Sequence, residues 1–206
     1  MPGMLLRNGN TSAPAGMISR ALSSGFETWY ALRLVAAAAA LACCWRALVR
    51  LDWRFGLRGV AAGAVVFALW LAASRLILSP RGMPVPLATM SAGVRDLWIS
   101  SRALCGIAVV PLVEELAYRG YLLRRLVAED FEAVPFRTIG WLPLFVTALA
   151  FGALHGPLWL PGIAAGLAYG LVLIRTGRMG EAVAAHLTSN LLIAAWVLGA
   201  GQWQLS

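Results

Sequence analysis

Residues 138–174 read TIGWLPLFVTALAFGALHGPLWLPGIAAGLAYGLVLI and contain no Asp, Glu, Lys or Arg. A helix crossing a bilayer needs about 20 apolar residues, so this stretch is too long for one crossing and suits two. The break belongs at His155-Gly156-Pro157 with Pro161, because proline lacks an amide donor and has a fixed φ. Two apolar helices joined by a short uncharged turn are expected.

The rest of the chain repeats the pattern. Apolar runs cover about Trp29–Val49, interrupted by Arg33 and Arg46 near its ends, and Gly59–Ser79, which stops at Pro80, Pro84 and Pro86. A third segment, Asp96–Val127, begins apolar and turns polar halfway, and a last run covers Ala182–Trp203. The 206 residues are 60% hydrophobic and 13% charged, against about 45–50% and about 25% in soluble domains. Such a chain lacks the polar residues to cover a globule in water. The expected fold is all-α: a polytopic helical membrane bundle of about six, and up to eight, transmembrane helices around a polar intramembrane cavity. Residues 1–28, with Asn8, Asn10, Thr11, Ser12, Pro14 and Gly16, are expected to be a flexible N-terminal tail without a signal-peptide core. Residues 29–206 are expected to form a single integral-membrane domain.

All 17 basic residues are Arg, and with 9 acidic residues the net charge is +8. In a soluble protein this would suggest nucleic acid. Here the arginines fall between apolar runs, so no nucleic-acid partner is expected and the bilayer is the partner implied. Arg46, Arg50, Arg54 and Arg58, then Arg124, Arg125 and Arg137, then Arg175 and Arg178 occupy alternate connections. The positive-inside rule puts those on the cytoplasmic side and both termini outside, in a multi-pass protein of the inner (cytoplasmic) cell membrane, although Arg7 and Arg20 pull the other way. Cys43, Cys44 and Cys105 have no metal or disulfide spacing and read as packing residues. Gly162, Gly166 and Gly170 form a small-residue ridge, with Gly152 and Gly156 on the preceding helix and Gly59 and Gly63 earlier, as closely packed membrane helices require.

A few polar groups lie where an ionised side chain costs about 2.5–3.5 kcal/mol even on lenient scales. Adjacent Glu114 and Glu115 point about 100° apart on a helix. Arg119 follows Glu115 by four residues, as a favourable ion pair requires, which leaves Glu114 facing elsewhere, a setting that suits a general base. The same residues could instead form a structural ion cluster at the interface. Tyr118, four residues after Glu114, could bond it or anchor at the interface. His155 follows Phe151 by one turn and could be a catalyst or a capping histidine. His186 and Asn190 share a face of the last helix and could stabilise an oxyanion or bond a neighbouring helix.

Taken together, a carboxylate, two imidazoles and a carboxamide suit water-dependent amide hydrolysis: a base for water, an orienting partner, and donors for the oxyanion. No HExxH or GxSxG motif is present, and Asp52, Asp96 and Asp130 fall in loops or at helix ends.

Three segments resemble a known family. Glu114-Glu115-Leu116-Ala117-Tyr118-Arg119-Gly120 fits EExxxRG, Phe151-Gly152-Ala153-Leu154-His155 fits FxxxH, and His186-Leu187-Thr188-Ser189-Asn190 fits HxxxN. In this order they resemble the motifs of the CPBP family, the CAAX protease and bacteriocin-processing type of glutamic intramembrane protease. The resemblance spans a core of about residues 95–200. It implies an intramembrane endopeptidase acting on membrane-associated protein or peptide substrates, with Glu114 and His155 activating water, His186 and Asn190 forming the oxyanion hole, and Glu115 and Arg119 as supporting residues. No cofactor is expected, with zinc the alternative for a metalloprotease version. A non-enzymatic immunity or scaffolding factor is the alternative from another class, and the sequence leaves the oligomeric state open. In a simple hairpin drawing His155 and His186 fall on opposite sides of the membrane, so both are expected at intermediate depth, with the Pro157–Pro161 segment short or re-entrant.

Overall fold

The computed structural model describes residues 45–205 together with residues 37, 39, 41 and 42. The first apolar run therefore lies outside the described residues except at its end, where Trp45–Leu48 is helical. The expected tail, Cys43 and Cys44 lie outside them as well. Among the described residues there are five long helices and no strand.

Helix α1 is Leu57–Ile77 and helix α2 is a continuous 34-residue rod, Ala92–Arg125. Helix α3 is Trp141–Ala153, α4 is Trp159–Thr176 and α5 is Met179–Ala200. Four of them, α1, α2, α4 with its preceding turn, and α5, are long and apolar enough to cross a membrane, which makes a polytopic helical bundle. Helix α3 is not: its 13 residues span about 20 Å, less than a hydrocarbon core of about 30 Å.

The break expected near His155 is present, as a 3-10 turn over Gly156–Leu158. Two details differ from expectation. Pro161 lies in the first turn of α4 rather than between the helices, where its missing N–H costs nothing. Gly156 has φ +53 in the turn and nothing within 4 Å of a Cβ built on it, so it shapes the turn and is not part of the ridge. The ridge itself joins α3 to α4. A Cβ on Gly162 would lie 2.9 Å from Cα of Gly152, and one on Gly166 would lie 3.0 Å from Cα of Ala148. Gly59 and Gly63 of α1 face α5 in the same way, at Glu181 and Ala185.

Helix α2 is not uniformly α-helical. It changes to π-helix over Cys105–Val109, returns to α-helix for Val110–Glu115, and is π-helical again over Leu116–Leu122. Glu114 and Glu115 close the α-helical stretch between the two wide turns.

The three arginine-bearing connections meet at one end of the bundle. Arg178 lies 3.9 Å from Asp52, Arg50 reaches Glu132 at 3.4 Å, and Arg137 donates to the carbonyl of Thr176 at 2.8 Å. The amide of Gly180 donates to the carbonyl of Asp52 at 3.0 Å. Alternate connections thus gather on one side, as the charge pattern requires.

Candidate active site

Glu115 and Arg119 are both buried, at 0% and 1% exposure, and pair at 3.1 Å between Nη1 and Oε1, the i,i+4 contact their spacing predicts. The arginine also donates from Nη2 to the carbonyl of Gly166 at 2.9 Å, which ties α2 to the glycine ridge of α4. Its guanidinium sits over the Phe151 ring, 4.7 Å from the centroid. A charge this deep persists only when paired and hydrogen-bonded; Arg119 meets both conditions, whereas Glu115 takes Arg119 on Oε1 and its buried Oε2 has no hydrogen-bond partner among the described residues.

His186 arrives from α5. Its Nδ1 lies 2.9 Å from Glu115 Oε1. That oxygen belongs to a carboxylate paired with Arg119 and can only accept, so Nδ1 carries the proton and the opposite nitrogen is aimed away from Glu115. Nε2 faces Glu114 Oε2 at 3.8 Å, too long for a good hydrogen bond but close enough for electrostatic contact. The histidine thus lies between the two glutamates. Glu114 retains 14% side-chain exposure, against 0% for Glu115.

His155 caps the end of α3. Its Nδ1 donates to the carbonyl of Phe151 at 2.8 Å, which leaves the Nε2 lone pair free. Trp70 of α1 meets the ring edge-on at 5.3 Å. No hydrogen bond joins His155 to Glu114 or His186 among the described residues. Phe151 lies between the two imidazoles, with ring centroids 4.7 Å from His155 and 5.7 Å from His186. His186 is seven residues into α5 and His155 ends a 13-residue helix, so neither is at a far face of the bundle.

Asn190 is half-buried and its Nδ2 donates to the carbonyl of Gly106 at 2.8 Å. That carbonyl has lost its usual helical partners. In the π-helical turn the amide of Val110 goes to Cys105, and the residue five positions after Gly106 is Pro111, which has no N–H. The side chain of Asn190 supplies the missing donor and keeps its second Nδ2 hydrogen.

Two residues that sequence reasoning passed over complete the cluster. The Tyr169 ring stacks on His186, with centroids 4.8 Å apart and planes 22° apart. Its hydroxyl donates to Ser189 Oγ at 2.6 Å, and Ser189 donates in turn to the carbonyl of His186 at 2.8 Å. Neither carries a sequence signal, since a tyrosine and a serine in membrane helices are ordinary. Tyr118 sets its ring edge-on against Phe151 at 5.2 Å.

The described geometry joins elements that the chain separates by 71 residues, from Glu115 to His186. Residues 96–192 match the family described as type II CAAX prenyl endopeptidase Rce1-like. This segment, slightly less than half of the chain, is similar to that family. No curated protein and no solved structure matches the chain. The Rce1-like segment runs from near the start of α2 to Leu192 in α5, and it contains Glu114, Glu115, Arg119, His155, His186 and Asn190. The match supports membrane-protease activity in general, a hydrolase within a multi-pass helical bundle.

Proposed function

We propose that the chain is an intramembrane endopeptidase in which Glu114 activates water for attack on the peptide bond of a membrane-associated protein or peptide. The observation that carries this reading is the position of His186, bonded through Nδ1 to Glu115 and facing Glu114 with Nε2. In this reading Glu114 accepts a proton from water as the oxygen bonds to the scissile carbonyl carbon, and His155, with Nε2 free, helps to orient that water. The carbonyl electron pair moves to oxygen. The Nδ1–H of His186 stays in its hydrogen bond to Glu115, so the donor to the oxyanion is an Nε2–H, with the ring protonated on both nitrogens in this step. The second amide hydrogen of Asn190 is the other donor. Collapse of the intermediate breaks the C–N bond, and Glu114 returns the proton to the leaving amine.

Glu115 and Arg119 hold His186 and the α4 backbone rather than touch substrate. A zinc-dependent version would need several converging ligands, and among the described residues no group of three or more His, Cys, Asp or Glu side chains is placed to hold a metal. The metal-free reading is the one we propose. A chelator that abolishes cleavage, with zinc restoring it, would replace this reading.

A membrane immunity or scaffolding factor that binds a peptide without cutting it would keep its cellular effect in Glu114→Ala. The Ala- and Arg-rich, Lys-free composition supports a GC-rich bacterial source and the inner (cytoplasmic) membrane. The test is cleavage by Glu114→Ala, His155→Ala and His186→Ala, each expected to be inactive while still accumulating in the membrane.

A further inference from the structure

The arginine-rich end holds two adjoining cavities of about 410 and 490 Å³, which share Arg137, Thr176 and Arg178. Together they are lined by six arginines, from 50 to 178, against Asp52, Glu132 and Glu181. Two of the acids are paired with arginines, and the third, buried Glu181, accepts a backbone amide and leaves one carboxylate against the three arginines of the smaller cavity. Asp52 pairs with Arg54 at 2.7 Å, Glu132 with Arg50 at 3.4 Å, and Glu181 Oε2 accepts the amide of Gly59 at 2.7 Å at the start of α1. Arg124 spends its guanidinium on the carbonyls of Val134, Glu132 and Gly120.

The smaller cavity is where cationic capacity is left over. Arg58, on the first turn of α1, is exposed and has no hydrogen-bond or ion-pair partner among the described residues. Arg137 uses only Nη2, and Arg178 has only the long 3.9 Å contact to Asp52. Three guanidinium groups from three chain segments therefore line one concavity with unused donors. An oxyanion with several acceptors, such as a phosphate, matches that set.

The surroundings indicate which phosphate. Phe55 and Leu57 are 67% and 85% exposed beside Arg58, and Trp141 and Leu142 are 70% and 74% exposed at the start of α3. Apolar side chains at helix ends facing outward are the setting of acyl chains and the membrane interface, and basic pockets between membrane helices suit anionic headgroups. We propose that this cavity is a binding site for the phosphate of an anionic glycerophospholipid, with Arg58, Arg137 and Arg178 on the headgroup and Phe55 and Leu57 against its chains. The site is at the membrane surface and separate from the Glu114–His186 cluster.

The test titrates the purified full chain in a neutral detergent with phosphatidylglycerol, phosphatidylcholine or inorganic phosphate, and measures retained lipid by native mass spectrometry together with thermal unfolding. The chain should retain phosphatidylglycerol in preference to phosphatidylcholine. At about five-fold per arginine near a charged surface, Arg58→Gln should weaken that retention about five-fold, Arg58→Lys should restore most of it, and Arg81→Gln should leave it unchanged. Because Arg58 is exposed and unpartnered, its loss should not unfold the protein. Equal retention of the two lipids, or full retention by Arg58→Gln, overturns the proposal. Stabilisation by millimolar inorganic phosphate equal to that by phosphatidylglycerol would make the ligand a free anion and overturn the lipid assignment.

Discussion

Asn190 donates 2.8 Å to the carbonyl of Gly106, the backbone group left without a helical donor by Pro111. One amide thereby serves two purposes in this account, closing a gap in α2 with one hydrogen and offering the other to the oxyanion. The two can be separated. Asn190→Ala should lower stability by about 0.5–1.5 kcal/mol, the net worth of a hydrogen bond to this partly buried carbonyl, and lower the cleavage rate about 10²–10³-fold. Pro111→Ala supplies an N–H to Gly106, so in that background Asn190→Ala should lose most of its effect on unfolding while its effect on cleavage remains. A double-mutant cycle on both readouts checks this.

Arg119 neutralises a glutamate with 0% exposure. Arg119→Ala should destabilise the protein by about 3–5 kcal/mol, as removal of one member of a buried pair does. Arg119→Lys should recover only part, because one ammonium cannot reproduce the planar fork that reaches both Glu115 and Gly166. Membrane accumulation and detergent unfolding temperature are the measurements.

Gly162 lets α4 approach α3 beneath His155. A Cβ there would lie 2.9 Å from Cα of Gly152 and 3.1 Å from Nδ1 of His155, both tighter than ordinary contacts. Gly162→Ala should cost about 1–3 kcal/mol and depress cleavage by displacing the imidazole. Gly93→Ala, in α2 with nothing within 4 Å, should leave stability unchanged or raise it by about 0.5–1 kcal/mol.

Asp52, at the arginine-rich end, has its pKa lowered from 3.8 to about 2, chiefly by the side-chain hydrogen bond from Arg54. A depressed carboxylate contributes stability above its unfolded pKa and loses it as pH falls through the folded one. The difference in unfolding temperature between wild type and Asp52→Asn should be constant above pH 3.8 and close as pH approaches about 2. A difference that grew on acidification would contradict the pairing.

Much of this architecture is legible in the chain because charge is scarce. An uncharged run of double span length announces α3 and α4, and Glu114, Glu115, Arg119, His155, His186 and Asn190 stand out against apolar neighbours, where each polar group is costly. Helix ends differ from the expected ones by a few residues. Helix count is less legible: α3 has 13 residues, and only its partner α4 and the ridge show why a helix too short to cross is held. The π-helical turn over Cys105–Val109 is illegible because the carbonyl of Gly106 takes its donor from Asn190, 84 residues away. Tyr169 and Ser189 are missed for a similar reason, since only the fold brings them to His186.

In the proposed mechanism Glu114 takes the proton of the attacking water. The most direct test of that step compares the membrane proteome of cells carrying wild type with that of cells carrying Glu114→Gln at equal membrane abundance, searching for a precursor whose cleaved form is missing. The variant keeps nearly the shape of the glutamate and loses the base. At least one membrane-associated precursor should accumulate uncut with Glu114→Gln and be processed with wild type. Normal processing by Glu114→Gln of a substrate that wild type cuts and a deletion strain leaves whole would contradict this mechanism.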